Sequence, residues 1–381
     1  MGDAEDSDTS SGTSNSSSGS DSETEQGLTP IVVHPTLPKQ LEDLCAELLG
    51  DYTVPPVPPT DSNLAPKIND LSLSEKASLE HYVAWKKSNG TVKGYKYHAT
   101  VLQSNLDTEI LSLHQVKKLS QRLTGFYPKK VDMCPKSCIA YTGEYKDLDK
   151  CPYTFSQAKE PCTKMPRAQV QILPVMATIR ALYANADTSR RLRQRDSHLK
   201  QALHLVGSAM QKFSDYGNSQ LHIIQHQQMG LFKFLRDIAL ALSTDGAQLT
   251  MKKHSNTWLL ILIILNLPAT LRYKTEHIII NLATPGPNSP GDIESFIRPL
   301  FEEMAMSSEG IWMWDAVDSS YFVNHAYIVM ALGDMLGSAK LNGMAGHSAI
   351  YGGRFTMVRG AVSTFQSCKG SKISVLSNFT S

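Results

Sequence analysis

Four apolar runs between residues 238 and 332, the first and last closed by an acid, constrain this chain more than any other feature. Ile238-Ala-Leu-Ala-Leu-Ser-Thr runs into Asp245-Gly246. Trp258–Leu265 and His277–Leu282 follow, and then Asp292–Met304, which places Ile293, Phe296, Ile297 and Leu300 on one side at helical spacing. The fourth run, Tyr321–Leu332, delivers Asp334. Turn signals separate the runs: Asp245-Gly246, Asn266-Leu-Pro268 and the Pro- and Gly-rich stretch 284–291. Leu-, Ile- and Val-rich runs of this length, bounded in this way, predict strands.

Three strands in a meander, a helix and a fourth strand predict the first half of a ribonuclease H-like mixed sheet. The acids give that prediction a chemistry. In-line cleavage or transfer at a phosphodiester uses two Mg²⁺ ions about 4 Å apart, held by carboxylates that a rigid sheet positions. Asp245 and Asp334 are therefore the candidate catalytic residues and magnesium ligands, with Gly246 expected to let the chain turn sharply beside the metal. Asp315 and Asp318, just ahead of the fourth run, are the alternatives for the second position. A plainer reading stands beside this one, because Asp-Gly after an apolar run is a common turn dipeptide.

A cysteine cluster precedes this region. Cys134-Pro-Lys-Ser-Cys138 forms one close pair, and Cys151 opens a second whose partner position holds Thr154. Cys162 supplies a fourth sulfur if the intervening loop folds back. Four thiolates on two tight turns are a tetrahedral zinc site, whereas three are an unmetallated remnant, and both readings stay open at the level of sequence. Six cysteines with no secretory leader at the N-terminus predict intracellular thiols or metal ligands and no disulfide framework.

The remaining chain sets the context. Residues 1–26 hold seven of the 36 acids, twelve Ser or Thr and no Lys or Arg, which predicts a disordered acidic tail and leaves the remainder basic by about eight charges. A basic body suits a polyanionic partner. Trp258–Leu271, interrupted by Asn266 and Pro268, is too short for a membrane span, which needs about 20 apolar residues. Leucine spacing predicts helices over 37–49, 71–88 (Leu79, Tyr82, Val83 and Trp85 on its apolar side) and 95–123, with Pro55–Pro59 a stiff linker after the first. Val170–Val206 reads as further helices. In it, Arg190-Arg191-Leu-Arg193-Gln-Arg195 is expected on a solvated face, with a nuclear-import or phosphate-contacting patch as the alternative. His222 and His226 are expected on a surface helix.

Taken together, several stretches resemble the CACTA-type (En/Spm-like) transposases, especially divergent fungal copies. They are Trp85-Lys-Lys-Ser-Asn-Gly-Thr91, Asp132–Gly143, Cys151-Pro-Tyr153, Leu242-Ser-Thr-Asp-Gly246, Asn266-Leu-Pro268, Pro285–Gly291, Gly346–Ile350 and Arg354–Gly360. The resemblance covers about residues 75–361. It implies a DDE-type enzyme with a zinc-binding segment ahead of a ribonuclease H-like core, acting on transposon-end DNA in the nucleus, with its first acid on Asp245 and its second on Asp334. Departures from the pattern are Thr154, the wording of Phe155–Lys164, and Gly352-Gly353 where relatives often carry a cysteine. In addition, no acid follows Asp334 to serve as the third.

The expected fold class is α/β (α+β). Its parts are an acidic tail (1–30), a helical N-terminal region (31–130), a cysteine-cluster segment (131–165), a helical connector (166–235), a truncated ribonuclease H-like core (236–361) and an irregular tail (362–381). The expected function is that of a truncated or degenerate DDE-type transposase. Its Mg²⁺ chemistry would need a third acid from a longer gene product or another chain, either a second copy or a full-length transposase. The alternative is an inactive DNA-binding or protein-interaction remnant. No membrane partner is expected.

Overall fold

The structure, a computed structural model, describes residues 37–58, 70–105, 108–154, 161–166, 168–248, 256–286 and 288–334, together with 337, 341, 359–360 and 373–374. The acidic tail, Gly346–Ile350, Gly352-Gly353 and most of 354–381 lie outside these residues. The chain divides into two units, 1–45 and 46–381. In the first, the described residues are the opening turns of helix α1 (Leu37–Leu49), with Cys45 exposed. All that follows concerns the second.

Helices α2 (Leu73–Lys87), α3 (Val92–Asn105) and α4 (Leu113–Thr124) pack around Tyr95, Ala99, Ile110 and Val116. The boundaries follow from capping. Ser72 and Glu75 form a reciprocal box at the start of α2, as do Ser112 and Gln115 at the start of α4, and Gly125 closes α4 in the left-handed conformation. The stretch 95–123 is therefore two helices, because the Ser112 cap restarts the chain. Val83, expected on the buried side of α2, is exposed.

Strands β1 (Lys129–Met133) and β2 (Ala168–Ile172) follow; Val170, expected in a helix, lies in β2. Helices α5 (Val175–Tyr183), α6 (Ala186–Leu192), α7 (Gln194–His204) and α8 (Gln220–Gln227) lead into the core. The core runs β3 (Ile238–Gln248), β4 (Asn256–Ile264), a short α9 (Ala269–Arg272), β5 (Ile278–Thr284), α10 (Ile293–Glu309), β6 (Ile311–Asp315), β7 (Ser320–Asn324) and β8 (Ala326–Leu332). Six strands form one mixed sheet in the order β1-β2-β5-β4-β3-β8, while β6 and β7 form a separate hairpin. Two-residue strands β9 (Arg359–Gly360) and β10 (Ile373–Ser374) pair with each other. The fold is of the α/β class.

Three antiparallel strands, a helix and a strand parallel to the first are thus present, with two changes. The apolar run 321–332 is two strands that part at His325. Asp245-Gly246 is not a turn, since both residues lie inside β3, opposite Leu259 and Trp258 of β4. Strand alternation sorts β3 into two faces. Ile238, Leu240 and Leu242 join the main core with α5 and with Phe296, Ile297 and Leu300 of α10. Ala239 and Ala241 face a smaller cluster that contains Tyr216 and Phe232.

A buried polar junction fixes the entry to β3. Asn266, 1% exposed, donates to the carbonyls of Leu192 and Asp237 (2.9 Å each) and accepts from Ala239 N–H at 2.8 Å. Arg195 belongs to the same junction and corrects the solvated-face expectation: it is 1% exposed, donates to Asp237 O and Phe234 O, and lies over the Phe232 ring. Arg193 pairs with Asp315 and Asp318, which leaves Arg190 and Arg191 as the exposed members of that run. His222 is fully buried and not at the surface. Its Nδ1–H donates to Gly217 O at 3.0 Å, and its Nε2 accepts from Arg195 Nη1 at 3.2 Å. The Pro-rich linker is docked at its start, where Trp312 Nε1 donates to Pro55 O and Tyr52 donates to Gly310 O.

Replacing Asn266→Ala removes the side-chain partner of Ala239 N–H and of Leu192 O, and leaves Asp237 O with Arg195 alone. We expect a loss of about 3 kcal/mol in urea unfolding, with Asn266→Asp no better because its carboxylate would face two carbonyls. A second expectation concerns acid. Burial, helped by the neighbouring Arg195 charge, pushes the His222 imidazole down to about 4. The unfolded chain therefore binds a proton through the window from about 6.5 to 4 that the folded chain refuses, so stability falls as pH falls through that window and the loss levels off below it. Urea midpoints across this range should drop less steeply in His222→Gln than in the parent.

Candidate metal centre and paired carboxylates

The cysteine cluster is built by two backbone devices. After β1, Cys134 N–H donates to Ile139 O and Ser137 N–H to Cys134 O, with Ser137 in the left-handed region at φ 59°. This tight turn brings Cys134 Sγ to 3.5 Å from Cys138 Sγ and aims Lys136 N–H at Cys134 Sγ at 3.4 Å. The second device is a short antiparallel bridge: Cys151 N–H donates to Lys164 O, Thr163 N–H to Cys151 O and Cys162 N–H to Tyr153 O. The loop therefore does fold back, and Cys162 Sγ comes to 3.8 Å from Cys134 Sγ. Thr154, in the position of the missing cysteine, is exposed and outside the cluster.

All four sulfurs lie within 4.8 Å of one another, with Cys134, Cys138 and Cys151 buried and Cys162 half-buried. A tetrahedral zinc with Zn–S bonds near 2.3 Å sets its sulfurs about 3.8 Å apart, so the donor set fits such an ion in number, softness and spacing. Electrostatics point the same way. Burial pushes the Cys151 thiol up to about 12 and Cys138 higher still, as neighbouring sulfurs disfavour a second negative charge. Burial acts against ionisation of Cys162 as well, yet the Lys164 N–H and the thiols of Cys138 and Cys134 hold it below the ordinary thiol range. Four sulfurs that cannot all ionise alone can hold a metal ion such as zinc, whose charge offsets theirs.

The cluster is tied to the core. Ser137 O and Cys138 O accept from Gly291 N–H (3.0 Å) and Asp292 N–H (2.7 Å), and Ser137 donates to Pro285 O. Ser295 Oγ accepts from Ala140 N–H, and its carbonyl accepts from Thr142. Gly291 is required by the close approach, because a Cβ there would lie 2.8 Å from Cys138 O. The first turn of α10 and the loop before it are thus held by the Cys134–Cys138 turn.

The parallel pairing of β3 with β8 runs toward both acids. Ile238 to Leu240 pair with Ala326 to Ile328, and after an irregularity Ala241 to Ser243 pair with Met330 to Leu332. Val329 is the extra residue, and it moves the offset between paired positions by one. The last pair, Ser243 with Leu332, lies two residues before Asp245 on one strand and two before Asp334 on the other. Gly337 marks the approach: its N–H donates to Asp334 Oδ1 at 2.6 Å, and a Cβ on it would lie 2.7 Å from Thr244 O. Both carboxylates are exposed. Asp245 also accepts from Gly246 N–H at 2.6 Å.

Asp315 and Asp318 lie elsewhere. Asp315 is fully buried and accepts from Ser189 (2.7 Å), Val317 N–H (2.9 Å), Arg193 (2.5 Å) and Arg236 (3.2 Å). Burial alone would raise its carboxyl, but those donors hold it below the usual carboxylate range. Arg193 and Arg236 also bind Asp318, so this pair is a structural ion cluster that joins α6–α7 to the β6–β7 hairpin. Among the described residues, the cysteines form the one group of three or more metal-ligating side chains, and no third acid joins Asp245 and Asp334.

Residues 220–373 match the family model described as transposase family tnp2. The match supports a transposase family for this part of the chain. It takes in α8, the β3–β8 core and both acids, and leaves the cysteine cluster and helices α2–α4 outside it. No curated protein matches the chain. Among the described residues, no helix is long and apolar enough to cross a membrane.

Metal occupancy has a direct readout. Native mass spectrometry of the purified chain should show one zinc per molecule, absent in Cys134→Ser and strongly reduced in Cys162→Ser. Binding displaces thiol protons, so affinity should rise with pH. Removal by a chelator should speed hydrogen exchange in 285–295 and leave β3 and β4 protected.

Proposed function

We propose that this chain is a DDE-type transposase-like protein that engages the DNA ends of a mobile element in the nucleus, with Asp245 and Asp334 as two of its metal-binding carboxylates. The observation that carries the reading is the bulged parallel register of β3 and β8, whose last pair lies two residues before each of these acids. The strand order β5-β4-β3-β8 with α10 between β5 and β8, which is the succession of a ribonuclease H-like layer, supports it. So does the match to a transposase family across the same residues.

Asp245 lies inside β3 and is paired with Leu259 of β4, so its carboxylate is carried by ladder backbone, and Asp334 is steadied by Gly337 N–H. Two exposed oxygen donors of this kind suit hard divalent ions such as Mg²⁺. Such ions, when bound, activate the attacking oxygen and stabilise the leaving one. The cysteine cluster has a supporting role in this reading, since a zinc ion held by Cys134, Cys138, Cys151 and Cys162 would fix the start of α10 against the sheet. Among the described residues no group of three metal-ligating side chains includes Asp245 or Asp334, which favours a second reading, a DNA-binding protein of transposon descent without chemistry.

The two readings separate in one experiment. The chain is incubated with DNA carrying the element's terminal repeats and Mn²⁺ or Mg²⁺, alone and with a full-length transposase. The enzyme reading expects nicking that falls at least roughly a hundredfold in Asp245→Asn and in Asp334→Asn, since each removes a metal ligand. Binding without nicking in either condition leaves the second reading. A readout independent of turnover is Fe²⁺ with peroxide, which should cut the polypeptide near 245 and 334 in the parent and not in the Asp245→Asn/Asp334→Asn variant.

A further inference from the structure

We propose that helix α3, with the turn that leads into it, is a docking surface for the major groove of duplex DNA. It makes α2–α4 a DNA-gripping module apart from the carboxylates. The inference rests on the reading that DNA is the substrate and adds where the duplex is held.

Geometry comes first. α2 and α3 are joined by Ser88-Asn89-Gly90-Thr91, a turn of the length that links the two helices of a helix-turn-helix. The turn is rigid. Asn89 adopts φ 51°, Gly90 lies so close to the Trp85 indole that a Cβ would fall 2.3 Å from its ring, and Trp85 Nε1 donates to Thr91 O at 2.8 Å. Beyond the turn, α3 buries Tyr95 and Ala99 with Leu102 half-buried, all on one side. Lys93, Lys96, Tyr97, Thr100 and Ser104 recur at helical spacing along the opposite side, and all are exposed.

Charge then selects the occupant. From His81 to Leu106 the chain has four lysines and no Asp or Glu. A solvated helix face ordinarily intersperses both signs, and this one does not. Lys86 and Lys87 are exposed at the end of α2, beside the turn, which extends the positive strip toward the start of α3. Of the module's acids, Glu75 is paired with Arg122 at 3.0 Å, while Glu80 on α2 and Glu109 ahead of α4 are exposed and lie outside this strip of sequence. Tyr97, 61% exposed, offers a hydroxyl donor beside Lys93, whose ammonium lies 5.6 Å from its ring. A helix about 10–12 Å across with a positive, acid-free outer side matches the roughly 12 Å major groove of B-DNA, whereas the major groove of duplex RNA is too narrow to admit it.

The test uses the full chain and a labelled 30-base-pair DNA duplex, with fluorescence anisotropy between about 50 and 300 mM NaCl. Neutralising two phosphate contacts in Lys93→Gln/Lys96→Gln should lower the log–log salt slope by about two and weaken binding roughly tenfold or more at 100 mM salt. Lys93→Arg/Lys96→Arg should keep the parent slope. Lys117→Gln/Lys118→Gln on α4 should change the slope by less than one, and circular dichroism should show all four proteins equally helical. A parental slope in the Lys93→Gln/Lys96→Gln variant overturns the α3 surface while the Asp245 reading stands, and so does an equal loss in the α4 control. If the parent binds no DNA at all, both fall; equal binding to duplex RNA removes the groove assignment.

Discussion

The parallel pairing of β3 with β8 is the constraint from which the rest of the core follows. A parallel partner cannot be reached by a tight turn, so the chain must leave the sheet, cross over it and return. Here α10 makes the crossing and buries Phe296, Ile297 and Leu300 against β3 and β4 as it does so. The β6–β7 hairpin follows and is clamped through Asp315 to Arg193 and Arg236, so the return into β8 starts from a fixed point. Only then can one extra residue at Val329 shift the register by one and bring the last pair to Ser243 and Leu332. The end of the ladder thus depends on a bulge, the bulge on a register, and the register on a packed crossover.

That frame is held by polar groups buried among apolar ones. Arg195 is enclosed with no free donor face toward water, an arrangement that would be costly without partners. Its guanidinium is met by two carbonyls, the His222 ring nitrogen and the Phe232 face, and Asp196 lies 3.9 Å away. Asp237, 1% exposed, accepts from Phe234 N–H and pairs with His325, while its carbonyl serves both Arg195 and Asn266. These residues join α7, α8, β3, the turn after β4 and the start of β8 at a single point. Apolar packing alone would tolerate small slips between such elements, whereas directional hydrogen bonds do not.

Much of this was legible in the sequence where one residue type at one spacing sufficed. The cysteines are such a case, because thiolates need only short turns and a loop that returns, and the loop did return Cys162. The apolar runs of β3, β4 and β5 and the helical face of α10 were equally plain. Features that depend on partners distant in sequence were not. Alternation within β6 was hidden beside Gly310, and the break at His325 was hidden inside a continuous apolar run. The reading of Arg190–Arg195 as a solvated face failed at Arg193 and Arg195, since nothing local announces that Asp315, Asp318 or a pair of carbonyls will close on them. His222 reads as a surface residue for the same reason. Asp245-Gly246 carries the signature of a turn, and the ladder with β4 overrides it.

The cysteine cluster and the two proposed carboxylates differ in the ions that their chemistry would suit. Sulfur ligands in a closed, mostly buried cage suit a borderline-soft ion and leave no open coordination position, which makes the cluster structural in character. Exposed carboxylates would suit hard ions that retain water and exchange with solvent. Neither group would hold the other's ion well, so loading one does not empty the other. The link between them is mechanical. Cys138 O and Ser137 O hold the backbone at Gly291 and Asp292, those residues start α10, and α10 packs on the sheet that carries Asp245. An ion in the cage would stiffen the first turn of that helix without approaching the acids, so loss of the cage's ion should reach them only as a loosened register.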